Sequence, residues 1–76
     1  MDFIIHTDKG IVPIEVKFKK MKKPEVTRSF RGFLTKYKPL TGIIVNLTLD
    51  ETLKANDTEV FFTPFWKLTE EEIPAR

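Results

Sequence analysis

The stretch from Asp2 to Lys19, DFIIHTDKGIVPIEVKFK, narrows most sharply what this chain can become. Two apolar-rich runs, Phe3-Ile4-Ile5 and Ile11 to Phe18, flank Thr7-Asp8-Lys9-Gly10, whose polar residues and glycine form turns. The pattern predicts an antiparallel β-hairpin. With the turn centred between Asp8 and Lys9, His6 faces Ile11, Ile4 faces Pro13 and Asp2 faces Glu15. Opposed side chains share a side of the pair, and Lys17 follows Glu15 on that side. The other side collects Phe3, Ile5, Val12, Ile14, Val16 and Phe18, and is the expected core side. Two opposed carboxylates destabilise a sheet unless a cation lies between them. Lys17 answers that need as an ion pair. A divalent ion such as Mg²⁺ answers it too, since it takes one or two carboxylates and keeps several waters. A one-residue slip in register removes the Asp2–Glu15 pairing but leaves Glu15 and Lys17 side by side.

Downstream, Lys19 to Lys23 (KKMKK) is polar and ends the second strand. Pro24 suits a first helical turn, and Glu25 follows near the favourable end of the dipole. Val26, Phe30, Phe33, Leu34 and Tyr37 then recur at helical spacing, so a helix is expected from Pro24 to Tyr37, stopping before Pro39. Gly32 inside it costs about 1 kcal/mol relative to alanine, which points to close packing on the sheet. Gly42-Ile43-Ile44-Val45-Asn46-Leu47 reads as a strand buried on both sides, and a right-handed crossover through the helix would lay it parallel to the second hairpin strand. Thr48 to Asp57 is polar, with a short helical piece expected around Asp50 to Lys54 and a turn at Asn56-Asp57. Glu59 to Thr63 is a last strand. Phe61, Phe62, Phe65 and Trp66 are expected to close the core, with a subunit contact as the other use of such aromatics. The expected class is α/β (α+β): a hairpin, a crossover helix, a buried parallel strand and a final strand.

Composition excludes several function classes. The chain has no cysteine, so disulfides and thiolate metal sites are ruled out. One histidine rules out a His-rich zinc site, and His6 has no nucleophile beside it in any recognisable triad. No apolar run reaches membrane-span length and no basic-then-apolar leader opens the chain, so a soluble, cytoplasmic protein is expected. The net charge of +2 hides a division: residues 1–16 sum to −2, residues 17–38 to +8 and residues 48–76 to −4. The basic block, with Lys19, Lys20, Lys22, Lys23, Arg28 and Arg31 as candidate nucleic-acid contacts, adjoins the carboxylate side of the hairpin. Such a field suits a phosphate backbone.

Asp2, eleven intervening residues and then Ile14-Glu15-Val16-Lys17 resemble the Asp…Glu-x-Lys signature of the PD-(D/E)XK nuclease superfamily. Within it, the sequence is similar to the C-terminal nuclease-like domain of archaeal and bacterial AAA+ type ATPases. The resemblance runs from Asp2 to about Asn46 and more weakly to Leu68, giving a nuclease-like domain over residues 1–68 and an acidic, flexible tail over residues 69–76. It implies a partial restriction-endonuclease-like core. It also implies that Asp2, Glu15 and the Val16 carbonyl hold Mg²⁺ (or Mn²⁺), with Lys17 acting on the attacking water, for phosphodiester hydrolysis. Full members carry a further N-terminal helix with an acidic residue and a strand before the aspartate strand. The sequence shows neither, so an N-terminally truncated member is expected, with weak or no activity. Its Asp2 strand would then be a free sheet edge open to pairing with a second copy. The alternative is a non-catalytic remnant that binds nucleic acid through its basic block or oligomerises.

Overall fold

Thr7 closes the first turn. Its Oγ1 accepts from the Lys9 N–H at 3.1 Å and donates to the Gly10 carbonyl at 2.8 Å. Gly10 takes φ 115°, a value that L side chains rarely adopt. These contacts join β1 (Phe3–Thr7) to β2 (Gly10–Val16) in an antiparallel pair with His6 opposite Ile11 and Ile4 opposite Pro13. That is the register the turn placement predicts. The computed structural model describes residues 2–67; the expected 69–76 tail lies outside them. After β2 come α1 (Arg28–Tyr37), β3 (Thr41–Asn46), β4 (Glu51–Ala55), β5 (Thr58–Pro64) and a 3₁₀ turn, Phe65–Lys67. The sheet order is β1-β2-β3-β5-β4, with β3 parallel to both β2 and β5. The fold is therefore α+β, a five-stranded mixed sheet with one helix.

The helix lays Phe30 and Leu34 on one side of the sheet against Ile44, Val60 and Phe62, together with Met21, Leu49 and Ala55. On the other side Val12, Ile14, Ile43 and Val45 cluster with Ile5 and Val16. This reverses part of the expected hairpin. Glu15 is paired with Ile44, so the side expected to carry solvated charges is the one the helix covers. Phe3 and Phe18, expected in the core, are 60 % and 87 % exposed. Val12, Pro13, Ile14 and Glu15 are all buried, so β2 is shielded on both sides and its alternation could not tell which side the helix would take.

Other corrections have local causes. The helix begins at Arg28, not Pro24, because Thr27 is its N-cap: extended at φ −66°, ψ 160°, it accepts the Phe30 N–H at 3.2 Å. Lys38 ends the helix in the left-handed region at φ 48°, its N–H bonded to the Leu34 carbonyl at 2.9 Å. Tyr37 sits at the exposed end of the stripe, its ring 4.6 Å from that of Phe33. Residues 51–55 form a strand rather than a helical piece. Asn56 and Asp57 both take positive φ, 50° and 68°, the two-residue turn whose twist suits a hairpin, and Leu53 and Ala55 turn inward. Phe62 is fully buried, but Phe65 and Trp66 are exposed and do not close the core. Asn46 shapes the β3–β4 connection: its buried Oδ1 accepts from Thr48 N at 3.0 Å and Leu49 N at 2.6 Å.

Gly32 marks no close packing. It is exposed, and a Cβ added there would meet no atom within 4 Å. The close approach is at Gly42, where a Cβ would lie 3.0 Å from Phe30 Cζ. Gly32→Ala is therefore expected to stabilise the domain by about 1 kcal/mol through helix propensity alone. Thermal unfolding would show a rise of about 4–8 °C for a domain of this size. An unchanged or lower midpoint would mean the glycine has a role that the fold does not display.

Candidate metal and nucleic-acid site

Glu15 is the buried centre of the site, 7 % exposed at the C-terminal end of β2. Its Oε2 lies 3.3 Å from Lys17 Nζ and 3.3 Å from Thr27 Oγ1, which donates to it. An ionised carboxylate is stable under a helix only when its charge is met, and here one ammonium and one hydroxyl meet it. Lys17 is two residues on along the same side, as the β periodicity requires, and keeps its head part-exposed while pairing. Among the described residues no buried side-chain nitrogen or oxygen lacks a partner.

Thr27 is a site residue that sequence reasoning missed. The same hydroxyl that caps α1 through Phe30 N donates to Glu15, so the helix start and the carboxylate are fixed together. A threonine three residues before the first buried helical position was the available signal, masked by Pro24 as a competing start.

Asp2 lies just before β1. Its N–H reaches the Ile14 carbonyl at 3.2 Å and its Oδ2 accepts the Val16 N–H at 2.6 Å. The carboxylate thus grips the backbone between Glu15 and Lys17, and the ladder pairing begins one residue later, with Phe3 opposite Ile14. Asp2, Glu15, Val16 and Lys17 occupy one short stretch of the sheet. A carboxylate has about four acceptor positions, and the contact to Val16 uses one at Asp2. Two carboxylates and a carbonyl are hard oxygen donors of the type that Mg²⁺ and Mn²⁺ take, with water completing the shell. Among the described residues no group of three or more Asp, Glu, His or Cys side chains gathers for a metal. Any ion at this site therefore keeps several waters, and Lys17 is the cation that now neutralises Glu15.

The basic block begins where this site ends. Lys17 N–H bonds to the Val45 carbonyl at 2.7 Å, Leu47 N–H to the Lys19 carbonyl at 3.2 Å, and Thr48 Oγ1 to the Met21 carbonyl at 3.0 Å. Met21 is buried in the helix-side core. It anchors KKMKK so that Lys19, Lys20, Lys22 and Lys23 all stand in solvent around a shallow hollow that Glu25 also lines. Arg28 and Arg31 are exposed on the first turns of α1.

A family model described as "Domain of unknown function (DUF4143)" matches residues 1–68. The chain belongs to this family. DUF4143 is a domain found in AAA-ATPase-associated proteins, so the ATPase-associated part of the sequence resemblance holds for this chain. No curated protein and no solved structure matches it. Among the described residues of this DUF4143 chain, no helix is long and apolar enough to cross a membrane.

Proposed function

We propose that this DUF4143 domain is a divalent-metal-dependent phosphodiesterase module of the PD-(D/E)XK type acting on DNA. The observation that carries the reading is the buried Glu15 carboxylate paired with Lys17, with Asp2 bound to the backbone between them. Asp2, Glu15 and the Val16 carbonyl would hold Mg²⁺ or Mn²⁺, which when bound polarises the phosphate and makes water a better nucleophile. Lys17, whose ammonium lies 3.3 Å from Glu15, would orient the attacking water and stabilise the charge that builds on the phosphorus oxygens. Thr27 keeps Glu15 in place. Lys19, Lys20, Lys22, Lys23, Arg28 and Arg31 supply the backbone-binding charge.

A second reading has its own support. Four exposed lysines fixed around one buried methionine make a preformed cationic surface that needs neither Asp2 nor Glu15. On that reading the domain binds nucleic acid without cutting it. Incubation with supercoiled DNA and Mg²⁺ or Mn²⁺ separates the two. Metal-dependent nicking that EDTA stops supports the hydrolase. Salt-sensitive retention without nicking supports the binder, and no retention at low salt removes both.

A further inference from the structure

We infer that the solvent face of α1 is the seat of one phosphodiester strand of a nucleic acid, which crosses the helix at Gly32 between Arg28 and Lys36. The inference rests on the nucleic-acid binding proposed above and names where the strand lies; it does not depend on hydrolysis. Three residues of α1, RSFRGFLTKY, work against the helix itself. Gly32 is a poor helix former, it is exposed, and a Cβ there would meet nothing within 4 Å. Arg28 and Arg31 stand in the first turn, at the positive end of the dipole where cations are disfavoured, and no acid in that turn offsets them. Among the described residues neither arginine has an ion-pair partner. None of the three gains packing inside the domain. Local rules broken without benefit to the fold mark the places where a function requires them.

These residues converge on one place. Phe30 and Leu34 hold the helix to the sheet, and Gly32, two residues from each, stands about 160° round the axis from both. It is therefore the centre of the solvent face. Arg28 and Lys36 lie one turn to either side of it, about 40° off the same line, and both are exposed. Their Cα atoms are about 12 Å apart along the axis, with the bare backbone of Gly32 between them. Arg31 stands on one flank. Lys36 has its ammonium 5.3 Å from the centre of the Tyr37 ring and remains exposed. A low point between cations fits an anionic chain that comes close to the helix: the cations bind phosphate oxygens, and the glycine lets the backbone approach. The helix carries three cations and no acid, so charge complementarity selects a polyanion. The place suits the candidate site as well. Thr27 caps α1 and donates to Glu15, so Gly32 is about 8 Å along the axis from a residue that touches this carboxylate.

Fluorescence anisotropy of a labelled DNA oligonucleotide, with EDTA present so that nothing is cut, tests the inference. Gly32→Leu should raise the thermal midpoint, because leucine is a good helix former placed here in open space. The same variant should bind DNA about tenfold more weakly at about 0.1 M salt, because its side chain holds the strand off the cations. Arg28→Gln and Lys36→Gln should each make the slope of log affinity against log salt shallower by about 1, as the loss of one phosphate contact does. Lys54→Gln and Thr52→Leu, at exposed positions on β4, should leave slope and affinity as they were. Unaltered affinity in Gly32→Leu, or an Arg28→Gln slope equal to that of Lys54→Gln, would overturn the inference while leaving nucleic-acid binding in place. No binding by the unmodified chain at low salt would overturn both. Capture of a poly-glutamate peptide through Arg28 and Gly32, with DNA ignored, would also overturn it and assign the face to an acidic protein.

Discussion

Glu15→Ala is expected to abolish metal-dependent DNA cleavage while leaving salt-sensitive DNA binding intact or slightly stronger. The carboxylate is one of only two that the site can offer a metal, and it is the buried, fixed one. Binding depends on a different set of groups, the exposed lysines and arginines, and gains from losing a nearby negative charge. The variant should also fold. Removing Glu15 leaves Lys17 free to turn into solvent from a position already part-exposed, and Thr27 keeps its cap on Phe30 N. The reverse substitution, Lys17→Ala, is the less clean probe. It leaves an ionised carboxylate under the helix with one hydroxyl for a partner, and breaking such a pair costs about 3–5 kcal/mol in well-buried cases. Nicking assays and gel retention on the alanine variant check both halves of the expectation. Cleavage that survives Glu15→Ala would place the chemistry elsewhere.

Phe30→Ala should be the most damaging single change to the fold. Phe30 is fully buried and packs against Gly42, where the lack of a side chain leaves room for its ring. Truncating a buried phenylalanine to alanine costs about 3–5 kcal/mol, because the lost transfer energy is joined by a cavity that the frame only partly fills. A domain of this length has about 4–11 kcal/mol of stability in total, so the loss is comparable with the whole. Urea unfolding should find the variant largely or wholly unfolded, whereas Tyr37→Ala, on the exposed end of the same helix, changes stability little. A loss below about 1 kcal/mol for Phe30→Ala would mean that the helix does not hold the sheet in this way.

Part of this structure was legible because short-range chemistry decides it. Thr7, Asp8, Lys9 and Gly10 fix the hairpin turn and with it the β1–β2 register, and the unbroken apolar run of β3 announces a strand buried on both sides. The adjacency of Glu15 and Lys17 follows from the two-residue period of a strand. What stayed hidden depends on tertiary choice. β2 is apolar enough on both sides that nothing local tells which side α1 will cover, so Glu15 was expected in water and lies buried. The β4–β5 hairpin was missed because β4 offers one large apolar residue, Leu53, and its identity comes from pairing with β5 and the positive-φ turn at Asn56-Asp57. Thr27 was hidden by Pro24, which fits a helix start equally well on sequence grounds. The Met21 anchor lay inside a run of lysines whose polarity concealed its only buried member.

The measurement that bears most directly on the site is a titration of the folded protein with Mg²⁺ or Mn²⁺, followed by NMR amide shifts. Selective, saturable changes at Asp2, Glu15, Val16 and Lys17, with Thr27 following through its hydrogen bond to Glu15, are the outcome that a metal centre at this end of β2 predicts. No change at millimolar metal, or changes spread evenly over Asp8, Asp50 and Glu59 as over any exposed acid, would contradict it.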